Sequence, residues 1–419
     1  MELTKAEQET LSGKQGSGTA KCMQLLVTMG EVCGAKKMVP ITSGHIAGNY
    51  SVMGDEGIGW IEELVKDGAR MKVYTTKNPE MFDFEKADEL RVPEKYRAIQ
   101  YRMNDALKEL GVALTYTCHH YLIGNVPKFG DHITWASSGS LTYANSVIGA
   151  RSNRDACHVV IAAGVTGVIP EWGLHLTENR KGQVLVDTKN LNLENYNLAD
   201  YQALGWNVGK KVRDKIPVLL GLPPDISMSA IKAILYSITV PGAMPMVHMV
   251  GVTPEAPTVE AACGGDAKSL PLVTVTEEEV KQSFREIYSG KDEKVDMVIF
   301  GCPQCSIQEI TEIVQILEGK KINTGTQLWI CTSNWVKNLA KRMGYDDKIT
   351  AAGGKIVADI GAGDGPYFYL KEQGVKVIAI NSARGCYYSR GLFGMDTWFG
   401  TTQECIATAI AGTWQGRKA

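Results

Sequence analysis

The sequence lacks the features of membrane, nucleic-acid-binding and small secreted proteins. No apolar run approaches the roughly 20 residues of a membrane-spanning helix. A formal net charge of -2 gives no basic surface for nucleic acid or an anionic membrane. The first residues are too polar for a secretory signal, and the ten cysteines are scattered. We therefore expect a cytoplasmic protein with mostly reduced cysteines and with neither nucleic acid nor a membrane as a partner.

What is present is an ordinary globular composition with an alternating strand and helix pattern. The 419 residues are 44% hydrophobic and 21% charged, which is enough for two or three packed domains. The polar stretch 264–268 is the best candidate boundary. We therefore predict two α/β lobes within residues 1–268 and a third within residues 269–419.

The third predicted lobe has the clearest pattern. Three strand–helix units follow one another, with strands at 295–300, 327–330 and 375–380. This spacing predicts right-handed crossovers and a parallel sheet. Earlier in the chain, strands are predicted at 72–75 and 113–117, and the apolar run 159–163 fits either a buried strand or a helix interior.

Two cysteines of this lobe lie where a predicted strand meets a predicted helix. An apolar run at 294–300 is followed by Cys302 and Cys305, and Ser306 is a candidate N-cap for a helical pattern at 307–317. Open α/β sheets bind ligands at such strand ends, and a helix amino end favours thiolate over thiol. The segment is therefore a candidate site.

Polar side chains recur at other predicted strand ends and turns. Taken singly, a hydroxyl or amide there is usually a turn or helix cap, and a lone core cysteine is usually structural. Their recurrence through the whole chain favours a functional interpretation. The candidates are Ser43, His45, Thr75, Thr76, Asn78, Cys118, Asn145, Ser146, Arg151, Arg154, His175, Glu178, Arg180, Ser333, Asn381, Ser382 and Arg384.

In their order along the chain, these segments resemble the large (catalytic) subunit of the aconitase X family, a branch of the aconitase superfamily. The resemblance runs from about residue 3 to residue 412. It is carried by the segments 42–45, 75–79, 116–118, 144–154, 173–176, 178–180, 251–257, 301–303 and 381–384. It implies an aconitase-like α/β fold, with several parallel-sheet lobes around a central active-site cleft.

The resemblance also implies a hydro-lyase that uses an iron-sulfur cluster or mononuclear iron. Such a centre needs soft thiolate ligands and an open position for the substrate hydroxyl. Arginines then hold the substrate carboxylate, and a base removes a proton from the adjacent carbon. By motif matching, Cys118 and Cys302 are two of the three expected ligands.

Motif matching also assigns the remaining candidates. The resemblance implies that the catalytic residues include Ser43, His45, Asn145 and His175. The implied substrate-binding residues are Thr75, Thr76, Asn78, Ser146, Arg151, Arg154, Glu178, Arg180, Ser333, Asn381, Ser382 and Arg384.

The chain departs from the family pattern at two positions. Gly361 stands where the third cysteine ligand is expected, and Ser137 stands where an acidic residue is usual. Cys386 is the preferred substitute ligand, and Cys305 is the alternative. The run 359–365 also resembles a glycine-rich cofactor loop, but too few residues follow it for such a fold. A glycine-lined turn is the better interpretation.

Two expectations concern neighbouring residues. At least one of His119 and His120 is expected to be solvated or merely hydrogen-bonded. Lys337, Lys341 and Arg342 are expected to form an ordinary solvated face of a helix over 334–343.

Two functions follow from the resemblance. The first is dehydration of a small β-hydroxy carboxylate, such as cis-3-hydroxy-L-proline or mevalonate 5-phosphate, in complex with a small subunit of the swivelling type. The second is a non-catalytic or repurposed paralogue that has an altered metal site and acts with a partner subunit.

Overall fold

A computed structural model describes residues 1–363 and 365–417, which form an α/β fold with three parallel sheets. The strands are β1 (Met38–Pro40), β2 (Gly44–Ile46), β3 (Thr75–Lys77), β4 (Thr134–Trp135), β5 (Val168–Pro170), β6 (Val184–Asp187), β7 (Pro217–Leu220), β8 (His248–Met249), β9 (Leu272–Thr274), β10 (Met297–Phe300), β11 (Gln327–Thr332), β12 (Lys355–Ala358), β13 (Val377–Ile380) and β14 (Asp396–Phe399).

Helices connect and cover these strands. They are α1 (Lys5–Leu11), α2 (Ser17–Val32), α3 (Tyr50–Lys66), α4 (Glu94–Leu110), α5 (Ser138–Tyr143), α6 (Cys157–Thr166), α7 (Leu198–Val212), α8 (Met228–Ile238), α9 (Val259–Cys263), α10 (Glu277–Ile287), α11 (Ile307–Leu317), α12 (Asn334–Arg342), α13 (Tyr345–Ala352), α14 (Tyr367–Glu372), α15 (Ala383–Phe393) and α16 (Thr402–Ala411). Among the described residues, none of these helices has both the length and the apolar character needed to cross a membrane.

The three parallel sheets follow one another along the chain. The first has the order β3-β2-β4, and an antiparallel pair of β1 and β5 lies in the same part of the chain. The second has the order β8-β7-β6-β9, and the third has the order β12-β11-β10-β13-β14. The predicted fold class is confirmed. Strand β9 lies past residue 268, so the second sheet continues beyond the predicted boundary, and the domain division stays a prediction.

The third lobe follows the sequence pattern closely. Strand β10 is buried along its whole length, as a central parallel strand requires. Ser306 caps α11 by accepting a hydrogen bond from the Glu309 backbone N–H, and Glu309 bonds back to the cap residue. The cysteine segment at residues 301–306 is therefore held between a buried strand and a capped helix.

Sequence patterns were less reliable in the first lobe. A strand predicted at 113–117 is wrong, since only a single bridge joins Ala113 to Thr76. The strand predicted at 72–75 begins at Thr75 instead. The apolar run 159–163, which fitted either a strand or a helix, is a helix interior because it belongs to α6. Short apolar runs carry too little periodicity to separate these cases.

Candidate functional site

The candidate site is a cavity between the second and third lobes. Four predicted site residues line it on the third-lobe side: Cys302, Asn381, Ser382 and Arg384. The second lobe contributes residues that the sequence did not indicate, among them Gln202, Lys232 and Tyr236. The cavity therefore combines strand-end residues of the third sheet with α7 and α8 of the second lobe.

The loop after β10 places the Cys302 backbone in this cavity. Gly301 has φ +108°, and a Cβ there would lie 2.4 Å from the Cys331 carbonyl oxygen, so the turn requires glycine. Ser382 caps α15 by accepting from the Gly385 N–H at 2.9 Å, and its hydroxyl donates to the Cys302 carbonyl oxygen. The ends of β10 and β13 are thus tied together at the cavity.

Cys118, from the first lobe, lies against the Cys302 segment. The Gln304 backbone N–H donates to Cys118 Sγ at 3.4 Å. The Gln304 side-chain amide donates to the carbonyl oxygens of Tyr116, Thr332 and Ile360 at 3.1, 2.9 and 3.0 Å. This buried glutamine therefore joins the loops that carry the two cysteines to the loop after β12.

Arg384 provides a cation at the cavity. Its guanidinium donates to Ser138 Oγ at 2.7 Å and lies 4.8 Å from the centre of the Tyr388 ring. Desolvation lowers the pKa of the Arg154 guanidinium, and the nearby charge of Arg384 adds to the lowering. Two like charges from different lobes thus lie within electrostatic reach, an arrangement that an anionic ligand would stabilise.

The described residues do not fit a three-thiolate metal centre. Within residues 1–363 and 365–417, no group of three or more His, Cys, Asp or Glu side chains could hold a metal ion. The preferred substitute, Cys386, faces the core, where its thiol lies 3.9 Å from the Trp398 carbonyl oxygen. Burial raises the pKa of Cys305 and Cys331 well above the ordinary value, so these thiols stay protonated. The predicted ligand set of Cys118, Cys302 and Cys386 is therefore not assembled in the part of the chain that the structure describes.

The glycine-rich turn after β12 is packed against its own chain. A Cβ at Gly363 would lie 2.7 Å from Cys302 Sγ, and one at Gly365 would lie 2.4 Å from the Glu80 carbonyl oxygen. These glycines allow close approach of backbone and side chains within the protein, as a glycine-lined turn does. Asp364, which belongs to the same predicted turn, lies outside the described residues.

A second group of predicted residues forms a buried network in the first lobe. His45 Nδ1 lies 2.9 Å from Thr76 Oγ1, and His45 Nε2 lies 3.2 Å from Asn78 Oδ1. Burial lowers the pKa of His45 to about 3, so the ring is neutral at pH 7. Since the Asn78 carbonyl can only accept, Nε2 carries the proton and Nδ1 accepts from the Thr76 hydroxyl. His45 is therefore held in one tautomer, with its ring stacked 3.5 Å from that of His120.

A third group joins the first and second lobes. Arg180 is buried and ion-paired with Glu255, and it also donates to the Asn145 backbone oxygen at 3.0 Å. Arg151 donates to the His175 carbonyl oxygen at 2.8 Å. Both guanidiniums are occupied by acceptors within the protein. Arg180 joins a first-lobe residue to a second-lobe residue, whereas the bonds of Arg151 stay within the first lobe.

His175 and Asn145 belong to the same group. His175 Nδ1 lies 2.9 Å from His132 Nδ1, and burial lowers the pKa of His175 to about 3. The Asn145 side chain donates to the carbonyl oxygens of Ser152 and Pro245 at 2.8 and 2.9 Å. Both side chains lie in structural contacts rather than at the cavity with Cys302.

The remaining predicted residues have local roles in this structure. Ser43 Oγ accepts from the Trp135 indole at 3.1 Å, and Thr75 Oγ1 donates to the Val73 carbonyl oxygen at 3.0 Å. Ser146 Oγ accepts from the Val247 N–H at 2.9 Å. Ser333 caps α12, and Glu178 is exposed. Their assignment to substrate binding or catalysis stays a prediction.

Two expectations about neighbouring residues are wrong in part: neither His119 nor His120 is solvated, and Lys337 is buried although Lys341 and Arg342 are exposed as expected. His119 and His120 are both buried, and desolvation lowers both pKa values well below the ordinary value. Lys337 is also buried, with its ammonium 3.1 Å from Asp83 and 3.0 Å from Glu85. Its partners are distant in sequence, so the polar pattern of the helix gave no sign of them.

An α/β protein with three parallel sheets, and with a thiol and a guanidinium at one strand-end cavity, belongs to the class of small-molecule enzymes. Comparison with known proteins identifies the family. The sequence profiles described as Aconitase X first, second and third domain match residues 1–178, 182–285 and 295–411. The chain belongs to the aconitase X family.

Several named relatives resemble most of the chain. A phosphomevalonate dehydratase large subunit of Methanocaldococcus jannaschii is 34% identical, and the match covers 97% of this chain and 99% of the relative. A cis-3-hydroxy-L-proline dehydratase of Pseudomonas aeruginosa is 31% identical, and the match covers 97% of this chain but 69% of the relative.

A solved structure is also similar. The crystal structure of Thermococcus kodakaraensis aconitase X (holo-form) matches with a TM-score of 0.86 and 32% identity, covering 98% of this chain and 100% of that one. The predicted family and enzyme class are confirmed, since the named relatives are dehydratases, which are hydro-lyases.

Proposed function

We propose that the chain removes water from a small β-hydroxy carboxylate at the cavity between its second and third lobes. The observation that carries the proposal is the placement of Arg384, Ser382 and Cys302 at one cavity. A guanidinium binds a carboxylate through two parallel hydrogen bonds and stabilises charge that develops on it when the adjacent carbon loses a proton. The neighbouring Ser382 and Asn381 extend this polar surface.

Relatives of both substrate types support the proposal. Relatives are named as dehydratases of phosphomevalonate or of cis-3-hydroxy-L-proline. Both compounds carry a hydroxyl on the carbon β to a carboxylate. We propose one of these, or a compound of the same class, as substrate.

The resemblance to the aconitase X family implies an iron-sulfur cluster or mononuclear iron at this site. Cys118 lies against the Cys302 segment through the Gln304 N–H, and the described residues contain no group of three side chains that could hold a metal ion. Bound iron would polarise the leaving hydroxyl. A cytoplasmic location stays a prediction.

We also propose a small companion subunit. Relatives named as large subunits are matched over nearly their whole length, whereas in the hydroxyproline dehydratases the match covers 69% of the relative. The additional length in those relatives is consistent with a fused domain that large-subunit relatives receive from a second chain. Closure by such a subunit would exclude water from the cavity.

The test is dehydration of both compounds by the chain purified with a small companion subunit and, separately, alone. Turnover by the complex that requires both subunits supports the proposal. A complex that forms but turns over neither compound would favour the second function, a repurposed paralogue, for which Gly361 is the specific observation.

A further inference from the structure

Two side chains on one face of α8 link the second lobe to the segments that carry Cys118 and Cys302. Lys232 and Tyr236 are four residues apart, so they lie one helical turn from each other on the second lobe. Cys118 belongs to the first lobe and Cys302 to the third. A single helix turn therefore meets segments from the two other lobes.

Tyr236 holds the first-lobe segment. Its buried hydroxyl donates to the Cys118 carbonyl oxygen at 3.1 Å. The ring is held from the other side by α5, where a Cβ at Gly139 would lie 2.3 Å from a ring carbon. The phenol has little freedom, so the hydrogen bond fixes the Cys118 backbone relative to α8.

Lys232 holds the third-lobe segment. Its ammonium lies 2.7 Å from Glu309 Oε2, and the two side chains are 14% and 18% exposed. The same Glu309 oxygen accepts from the Ser306 N–H at 2.9 Å and from its hydroxyl at 2.8 Å. The ion pair thus reaches the amino end of α11, directly after the Cys302–Cys305 turn.

We propose that Lys232 and Tyr236 are positioning residues that set the Cys118 and Cys302 thiols relative to each other across the lobe boundaries. This inference rests on the proposed function in one respect, since it takes the cavity lined by Cys302 as the active site. Its consequence is that either side chain controls whether the two thiols can bind one thiophilic ion together.

The test uses Cd²⁺ alone as a probe, with no substrate and no turnover. Anaerobic, reduced protein is titrated with Cd²⁺, and the ultraviolet charge-transfer absorption of the cadmium thiolate is recorded. Absorption that is present in the wild type and absent from each of the Cys118→Ala and Cys302→Ala variants reports Cd²⁺ bound by both thiols together.

We expect Tyr236→Phe to weaken this pair-specific binding by about tenfold, the effect of one lost hydrogen bond. Lys232→Met should weaken it further because Glu309 is left without its cation, while Lys232→Arg should restore it. Matched controls are Tyr201→Phe, which removes a bond to the Leu193 carbonyl oxygen at 3.1 Å, and Lys211→Met, which removes an ion pair with Glu279 at 2.6 Å.

The proposal is overturned if Tyr236→Phe binds Cd²⁺ as the Tyr201→Phe control does. It is also overturned if the wild type shows no absorption that depends on both cysteines. Should Lys232→Met fail to fold, Tyr236→Phe still decides the question, since it removes only the hydroxyl. Absence of dehydration with intact Cd²⁺ results would count against the proposed function alone.

Discussion

The loops after β10 and β12 lie at the same edge of one parallel sheet, yet only the first carries a thiol. After β10, Gly301 makes a tight turn that presents Cys302 at the cavity. After β12, the chain continues through Asp359 and Gly361, and Gly363 packs close to the Cys302 thiol. Sheet topology therefore brings the two loops to the same edge, while single residues in each loop decide which chemistry that edge can support.

The largest expected effect comes from giving the loop after β12 the thiol that it lacks. We predict that Gly361→Cys gains iron and acid-labile sulfide after anaerobic reconstitution, because a third thiolate completes a ligand set with Cys118 and Cys302. Gly363→Cys is the matched control, since its Cβ would lie 2.7 Å from Cys302 Sγ, too close for a shared ion. Equal iron in both variants, or none in either, would contradict the prediction.

The second prediction concerns Arg384, the guanidinium at the cavity beside Cys302. Arg384→Ala should lower kcat/KM for dehydration by about a hundredfold, as the loss of a preorganised donor to a developing oxyanion does. Arg285→Ala, which removes an exposed guanidinium paired with Glu278 at 3.3 Å, is the control. Steady-state kinetics of the two-subunit complex decides the matter, and equal rates for the two variants would remove Arg384 from the site.

The third prediction concerns the support of the β12 loop. Lys77 and Glu80 form an ion pair whose side chains are both fully buried, and the Glu80 N–H donates to the Asp359 carbonyl oxygen at 2.7 Å. Lys77→Met should cost about 3–5 kcal/mol because it leaves a buried carboxylate uncompensated.

Denaturant unfolding measures this loss of stability. The control is Lys14→Met, which breaks an exposed pair with Glu9 and should change the unfolding free energy by less than about 1 kcal/mol. Similar unfolding free energies for the two variants would show that the buried pair does not support the loop.

The smallest expected effect is a change in pH dependence. Burial, with Asp83 nearby, raises the pKa of Asp359 from 3.8 to about 7. A raised carboxyl pKa means that the folded state binds the proton more tightly, so this residue's contribution to stability falls as pH rises from about 4 to about 7. Asp359→Asn should remove a fall of roughly 3 kcal/mol or less.

Unfolding free energies measured across this pH range test the sign. Asp105→Asn, on the exposed face of α4, controls for the loss of one negative charge. If the pH slopes of Asp359→Asn and the wild type coincide, the Asp359 carboxylate is solvated in solution.

Much of the third lobe was predictable because local signals agree there. The buried strand β10, the Ser306 cap and the helical spacing of α11 are all visible within a short stretch of sequence. The motif segments likewise indicated Ser382 and Arg384, which do line the cavity. Local patterning therefore located both the sheet edge and part of its chemistry.

The rest depends on contacts between distant segments. Nothing near Lys232 or Tyr236 in the sequence shows that they meet Glu309 and Cys118. The same holds for Gln304, whose amide joins three loops that are far apart in sequence. Such contacts arise from the packing of the lobes, which periodicity and motifs do not record.

The comparison also explains the failure of one specific prediction. Cys386 was preferred as substitute ligand because it follows Arg384 closely in sequence. On a helix, a residue two positions on points to a different face, and Cys386 points into the core. Sequence distance from a site residue is therefore a poor guide on α15.

The central claim is that the described part of this aconitase X chain places Cys302 at the strand-end cavity and Cys118 on the neighbouring segment, without assembling a group of three metal ligands. The most direct measurement is iron and acid-labile sulfide in the wild type after anaerobic reconstitution, compared with the Cys118→Ala, Cys302→Ala double variant. We expect the wild type to hold no more stable iron-sulfur cluster than the double variant. A wild type that retains a stoichiometric cluster, lost when Cys118 and Cys302 are removed, would contradict the claim.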